Sequence, residues 1–204
     1  MSVGRHIAWS TAILLCAAAD GRAQTCAGGM SFNFAPLQLG LVPAWSSLGG
    51  GASVSLAYGS DRLFAAGLAG IAAGGRDSRI GMTVGVDQPV RRDNRVHVCP
   101  TVTASYARVE QASRAELGAH VALGWLARNT SALAIVPAVG VSMGSGTAGA
   151  LGVQPHRFTG AVDAAVGVSV RSRYAFTPRV IVGWRGERAM SAVALGVTIR
   201  VGSE

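Results

Sequence analysis

The segment that decides the fold is YAFTPRVIVGWR, residues 174–185. Every second residue of the segment, counted from its first, is apolar: Tyr174, Phe176, Pro178, Val180, Val182 and Trp184. The residues between them include all of its charged side chains: Ala175, Thr177, Arg179, Ile181, Gly183 and Arg185. Successive side chains of a β-strand point to opposite faces of the sheet. This period of two therefore predicts a strand with one oily face and one mixed face.

The same alternation recurs along most of the chain and predicts further strands. Residues 157–171 repeat it clearly, with Asp163 on the more polar face. Residues 34–44 form a weaker candidate, because Pro36 and Pro43 interrupt it. Seven more segments show the alternation: residues 51–58, 63–73, 80–87, 96–106, 116–125, 133–143 and 192–201. The sequence thus predicts ten strands, with eight as the alternative count.

Short polar segments separate the predicted strands, and most of the charged residues lie in or beside them. These segments lie at residues 59–62, 74–77, 91–94, 110–113, 128–130, 172–173 and 186–188. Turns of this length and composition join antiparallel neighbours into hairpins. The predicted fold class is therefore all-β, with an antiparallel up-and-down order of strands.

Composition decides which face of the strands points outward. Only 14% of the 204 residues are charged and 50% are hydrophobic, whereas roughly a quarter of a soluble protein is charged. This composition excludes intrinsic disorder. Large side chains meet in the core of a soluble sheet, but in a membrane barrel they face lipid and the lumen takes small and polar residues. We expect a transmembrane β-barrel over residues 34–201, with a soluble exported all-β binding domain as an alternative.

The first 23 residues predict export. A basic start precedes an apolar run over residues 7–19, which is too short to span a bilayer as a helix. Small residues at Gly21 and Ala23 fit a signal-peptidase site, so we expect cleavage after Ala23. A periplasmic tail over residues 24–33 would then precede the barrel, and residues 202–204 would form a C-terminal tail.

Two cysteines remain in the expected mature chain, Cys26 and Cys99. In an oxidising compartment an even pair predicts a disulfide more readily than a metal site or a nucleophile, because two ligands alone do not make a zinc site. We expect a Cys26–Cys99 disulfide that holds the N-terminal tail to the mouth of the barrel. No metal and no cofactor is expected.

Arginine supplies all of the positive charge counted in the chain. There is no Lys, and 18 Arg against 10 acidic residues give a net charge of +8. Removal of the predicted signal peptide leaves +7. The Arg residues occur at most turns and form no single stripe, so we place them at the lipid headgroups and do not expect a nucleic-acid partner.

Aromatic residues lie toward the ends of the predicted strands, where a membrane-interface girdle would need them. Seven residues are assigned to this girdle: Tyr58, Tyr106, Trp125, Phe158, Tyr174, Phe176 and Trp184.

The predicted signal peptide, the two-faced strands and a last strand ending near the C-terminus resemble the small outer-membrane β-barrel proteins of Gram-negative-type bacteria, over residues 30–201. Gly196, Ile199 and Val201 stand where that family carries a Gly and two aromatic positions. The resemblance implies the outer membrane as location, with outer-membrane lipids and the barrel-insertion machinery as partners. It also implies both termini in the periplasm and the longest loop, residues 145–156, outside.

The mixed face offers two candidate groups inside such a barrel. Asp163 and Arg179 lie on neighbouring strands of one hairpin, diagonal to each other, and predict a lumen ion pair. His97 and His120 share the inward parity and suggest, as an alternative, a barrel enzyme that acts on envelope lipids. No local motif supplies a nucleophile. The predicted function is therefore a structural, adhesive or narrow-pore role without catalysis.

Overall fold

The protein is a sheet of antiparallel strands. The computed structural model describes residues 37–47, 49–60, 62–72, 77–90, 95–109, 112–130, 132–148, 157–171, 173–185 and 188–201. The strands are β1 (Leu37–Ser46), β2 (Gly49–Gly59), β3 (Leu63–Ala72), β4 (Ser78–Val86), β5 (Gln88–Pro89), β6 (Val96–Val109), β7 (Ala112–Trp125), β8 (Arg128–Asn129), β9 (Leu133–Ala148), β10 (Arg157–Val170), β11 (Tyr174–Arg185) and β12 (Arg188–Val201). No helix that could span a membrane occurs in these ranges.

Ten long strands close into a barrel, and β5 and β8 are two-residue extensions beside it. Each long strand pairs with the next in sequence, and β1 also pairs with β12 to complete the ring. Every pairing is antiparallel. This confirms the ten-stranded up-and-down barrel over the eight-stranded alternative. The weakest predicted strand, over residues 34–44, is described as β1 from Leu37.

The register of the ladders sets the tilt of the strands. A path through paired residues that starts at Val201, passes through its partner Leu37 and continues around the ring returns to β12 at Ala189. Its two ends lie twelve residues apart on one strand, at positions 201 and 189. Barrels closed with such a stagger have strands tilted by about 35–45°. The tilt brings residues of distant strands to one depth in the lumen.

Three ladders are interrupted, each at a proline. The β1–β12 ladder skips Pro43, the β10–β11 ladder skips Pro178, and the ladder along β6 skips Pro100. Proline has no N–H to donate, so each interruption follows from one missing ladder hydrogen bond. The gap opposite Pro100 is also where β4 ends and β5 begins.

The barrel carries large apolar side chains outside and mainly small and polar side chains inside. Each long strand exposes large apolar side chains on its outer face, for example Leu39, Leu56, Leu63, Ile80, Val102, Leu117, Val139, Phe158, Val180 and Val193. The buried apolar residues of the described ranges are mostly alanines, and the buried polar ones include Gln38, Asp87, His97 and Asp163. Large apolar side chains facing outward around a polar interior are the arrangement of a transmembrane barrel. The predicted orientation of the two faces is confirmed.

The strands on one side reach further than the sequence predicts. The predicted strand over residues 116–125 starts at Ala112, and the predicted loop from Ser145 is strand up to Ala148. The Gly and Ser residues there hide the alternation, but the β7–β9 ladder continues to the pair Arg114 and Ala148. Residues 112–113, predicted as part of a turn, therefore belong to β7, and Arg114 beside them is a wall residue.

The two ends of the barrel differ. The first residue of β1 and the last of β12 lie at one end, here called the termini end, and the opposite end is called the loop end. The predicted signal peptide, the tail over residues 24–33 and residues 202–204 lie outside the described residues, so these assignments stay predictions.

Substitution of the outer face should reveal the lipid contact. Val180 lies in the middle of β11 and is exposed. In a membrane barrel, Val180→Arg is expected to lower the free energy of unfolding by about 2–4 kcal/mol, whereas Val180→Leu should leave it nearly unchanged. Equilibrium unfolding in phospholipid vesicles measures both. Equal stability of the two variants would contradict a lipid-facing position.

Candidate functional site

A cavity of about 580 Å³ occupies the lumen. It extends from Arg114 and Gly146 near the loop end to Gln38 and Cys99 near the termini end. Cavities of this size accommodate small ligands. Its wall carries many hydroxyl groups, from Thr83, Thr101, Thr103, Ser105, Ser142, Thr159 and Thr198. Polar and charged groups thus face the interior along most of the barrel.

Three charged or titratable side chains meet in the middle of the lumen and are called the central cluster: His120, Asp163 and Arg179. His120 Nε2 lies 3.0 Å from Asp163 Oδ1. Arg179 Nε donates to Asp163 Oδ2 at 2.8 Å, and its Nη2 lies 2.8 Å from the same oxygen. Arg179 Nη2 also lies 3.3 Å from His120 Nε2. Both carboxylate oxygens of Asp163 are engaged.

A glycine makes the central cluster possible. His120 lies on β7 and Asp163 on β10, with β9 between them. Gly140 of β9 is the register partner of Asp163, so the two side chains meet over this glycine. A Cβ atom at Gly140 would overlap His120 Nε2 and lie 2.8 Å from Asp163 Oδ1. The strand order and one missing side chain therefore allow a contact between residues 43 positions apart.

The partners fix the proton on one ring nitrogen of His120. An ionised carboxylate only accepts hydrogen bonds, so His120 Nε2–H donates to Asp163. The 3.3 Å approach of Arg179 Nη2 then joins two donors and is not a hydrogen bond. Asp163 orients the ring as the acid of a hydrolase triad does. Among the described residues, however, no hydroxyl or thiol bonds to that ring; Thr101 Oγ1 donates to the backbone oxygen of His120.

A second group lies nearer the loop end and is called the loop-end cluster: Arg79, Ser105, Arg114 and Glu116. Arg79 Nη2 lies 3.2 Å from Glu116 Oε2 and donates to Ser105 Oγ at 2.8 Å. Arg114 Nε lies 2.8 Å from Glu116 Oε1. That distance makes an ion pair, although the N–H is not aligned for a hydrogen bond. Gly146 leaves room for it, since a Cβ there would lie 2.8 Å from Arg114 Nε.

A third group lies near the termini end and is called the floor cluster: Gln38, Asp87, His97 and Arg200. All four are buried, Asp87 and His97 to 3% exposure each. His97 Nδ1 lies 3.1 Å from Asp87 Oδ1. Gln38 and Arg200 are register partners on β1 and β12. Only Gln38 of this cluster lines the cavity, so the other three lie beyond it.

Sequence analysis predicted some members of these three clusters. Its proposed ion pair, Asp163 and Arg179, is in contact at 2.8 Å. The two histidines of the enzyme alternative are not brought to a common carboxylate, since His120 contacts Asp163 and His97 contacts Asp87. Sequence analysis did not predict a lumen role for Arg79, Arg114, Asp87 or Arg200. It also did not place His120 beside Asp163 and Arg179. Inward parity signals each of them, but most lie near strand ends, where charges suggest turns.

The structure buries Cys99 within the barrel, 1% exposed. Its predicted partner Cys26 lies outside the described residues, so the disulfide stays a prediction. Among the described residues no three His, Cys, Asp or Glu side chains are grouped to hold a metal ion.

The seven predicted girdle aromatics all point outward and are exposed. Near the termini end lie Tyr58, Trp125, Tyr174 and Phe176, and near the loop end lie Tyr106, Phe158 and Trp184. Trp45, which the sequence did not single out, joins the second group. The positions form two bands at opposite ends of the wall. Their role at the membrane interface stays a prediction.

No family model and no curated protein matches the chain. Solved outer-membrane barrels are similar in fold. A KdgM porin in complex with disordered oligogalacturonate is 8% identical, with 81% of this chain and 99% of that one covered, at a TM-score of 0.40. LpxR from Salmonella typhimurium is 13% identical over 74% and 72%, at 0.44. The outer membrane enzyme PagL is 9% identical over 80% and 99%, at 0.41. At these identities the likeness concerns the fold alone.

Substitution of Gly140, the glycine beneath the central cluster, should move His120 away from Asp163. Gly140→Ala is expected to reduce the free energy of unfolding by about 2 kcal/mol, because the new Cβ displaces His120 from Asp163 and leaves a buried polar contact unmade. Gly118→Ala is the matched control on β7, where a Cβ meets only Met143 O at 3.5 Å. Denaturant titration measures both. Equal losses at the two glycines would count against the central cluster.

Proposed function

We propose that this protein is an integral barrel of the bacterial outer membrane with a narrow-pore role for small hydrophilic solutes, without catalysis. One observation carries the proposal: a cavity of about 580 Å³, with hydroxyl and charged side chains at intervals along its wall, lies inside a barrel whose outside is apolar. Hydroxyl and charged groups along the cavity would replace the hydration of a polar solute. The apolar wall would keep the surrounding lipid away from it.

The outer membrane fits the design of the chain. Transmembrane barrels of bacteria have even strand numbers, and their termini lie in the periplasm. Ten long strands meet the first expectation, and the predicted signal peptide supports export. We therefore assign the termini end to the periplasm and the loop end to the outside. Outer-membrane lipids and the barrel-insertion machinery, which would read the last strand, are the proposed partners.

The pore is narrow because side chains fill it at one end. In small barrels the interior is nearly filled by short side chains. Below the cavity the floor cluster is buried, so Asp87, His97 and Arg200 have almost no contact with solvent. Passage then requires this layer to move. We expect small, infrequent current steps and not a wide, permanently open channel.

The charges of the lumen favour this role over a purely structural one. Ion pairs contribute little net stability, because desolvation of the buried partner and solvent screening of the exposed one offset their attraction. A barrel that serves only as a membrane anchor would gain as much from small apolar residues. Two separate groups of paired charges along one cavity, the central and loop-end clusters, are therefore better explained by a polar solute inside the lumen.

Planar-bilayer recording of the refolded mature protein tests the proposal. We expect small current steps from the wild type. The double variant Asp87→Ala with His97→Ala should raise the conductance or the open time severalfold, because it removes the buried pair below the cavity. Arg128→Ala is the control, an exposed residue of the same end outside all three clusters.

Folding of each sample is checked by its shifted migration on a detergent gel before and after heating. Correctly folded wild type and double variant that both leave the bilayer silent would contradict a pore. An equal rise in the Arg128→Ala control would contradict the assignment of the floor cluster as the constriction.

A further inference from the structure

We infer that the lumen is a binding site for small soluble anions, with Arg79, Arg114 and Arg179 as its recognition groups. The ligand class is a solute that carries a carboxylate, phosphate or sulfate group. The inference names the solute class of the proposed pore and rests on that proposal for access to the lumen. Four observations support it: the use of the carboxylates, the unused Arg donors, the net charge and the rigidity of the site.

The negative groups of the cavity are already engaged by the protein. Glu116 Oε1 lies 2.8 Å from Arg114 Nε, and its Oε2 lies 3.2 Å from Arg79 Nη2. Asp163 Oδ1 faces His120 at 3.0 Å, and its Oδ2 faces Arg179 at 2.8 Å. Each of the four carboxylate oxygens thus has a partner of opposite polarity. Neither carboxylate presents a free oxygen pair that would attract a cation.

The guanidinium groups are used only in part. Each has five N–H donors in a planar fork. Arg79 uses Nε and Nη2 toward Ser105 and Glu116, and Arg179 uses the same two atoms toward Asp163. Within the described part of the chain, the Nη1 groups of these two arginines have no hydrogen-bond partner. Both side chains line the cavity and are partly exposed, 48% for Arg79 and 29% for Arg179.

The net charge of the groups that line the cavity is positive, which also favours an anion. Three arginines line it against the two carboxylates of Glu116 and Asp163, which leaves an excess of one positive charge among these five groups. An excess of one sign of charge between low-dielectric walls raises the local concentration of the opposite ion. Guanidinium groups also bind carboxylate and phosphate oxygens in pairs, through parallel N–H bonds. The available chemistry therefore favours an anion and disfavours a cation.

The arginines are held in place before any ligand arrives. Arg79 is fixed by Ser105 and Glu116, and Arg179 by Asp163. Ordered side chains lose less conformational entropy on binding than free ones. The two arginines lie at different depths in the lumen, since Arg79 belongs to the loop-end cluster and Arg179 to the central cluster. An anion entering from the loop end would meet Arg79 and Arg114 first and Arg179 further in.

Calorimetric titration of the folded protein with inorganic phosphate, in a non-ionic detergent free of phospholipid, tests the inference. The wild type should bind phosphate, and Arg79→Gln with Arg179→Gln should weaken binding at least roughly tenfold, because charge-assisted hydrogen bonds are lost. Arg128→Gln is the matched control at the exposed rim and should bind as the wild type does. Spermidine should give no binding to any of them.

A second pair of substitutions keeps the test valid if the Gln variant does not fold. Arg79→Lys with Arg179→Lys retains both charges but lacks the planar fork, so it should fold and bind phosphate more weakly than the wild type. Absence of phosphate binding by the folded wild type overturns the inference. So does undiminished binding by the folded Gln or Lys variant, or binding only to phosphate carried on lipid vesicles.

Failure of this inference differs from failure of the proposed pore. Phosphate binding without bilayer current would support the anion site and contradict the pore. Current with equal permeability to potassium and chloride, together with no phosphate binding, would support the pore and overturn the anion site. If both hold, the wild-type reversal potential in a potassium chloride gradient should lie on the chloride side and shift toward zero in the Gln variant.

Discussion

The closure of the sheet between β1 and β12 is the constraint on which the rest of the structure depends. In hydrocarbon, backbone N–H and C=O groups must find partners within the protein, and a sheet achieves this only without edges. The ladder between Leu37–Ser46 and the last strand removes both edges. Closure with a stagger of twelve positions fixes the tilt, and the tilt decides which side chains share a depth. Parity then sorts large apolar residues outward and polar ones inward.

The lumen chemistry follows from this geometry and from what small residues permit. His120 and Asp163 meet because Gly140 lies between them, and Arg114 fits beside Glu116 because Gly146 has no side chain. The glycines of β9 thus leave space for the charged side chains of the neighbouring strands. The carboxylate oxygens all contact protein groups, while Arg79 and Arg179 retain N–H donors that no described residue uses. We propose on this basis that the lumen takes small hydrophilic solutes and that the arginine donors favour anions among them.

The sequence predicted the fold well because the fold rests on local signals. Period-two alternation and short polar turns predicted ten strands, and low charge predicted the outward face. The central cluster depends instead on register between distant strands: Arg179 lies opposite Ala165 within one hairpin, but His120 reaches Asp163 across a strand. The floor and loop-end clusters were missed because Asp87 and Arg79 adjoin turns, where charges are ordinary. Only the ladders show that these side chains face the lumen.

The central claim is that alternate residues of one strand face lipid and the lumen. Spin labels placed one at a time along residues 174–185 of the folded barrel in vesicles test it directly, by collision with oxygen, which concentrates in lipid, and with a water-soluble nickel chelate. We predict oxygen maxima at Phe176, Val180 and Val182 and lower oxygen contact at Thr177, Arg179 and Ile181, with any nickel contact in the opposite phase. Profiles without a period of two, or with the phases exchanged, would contradict the account.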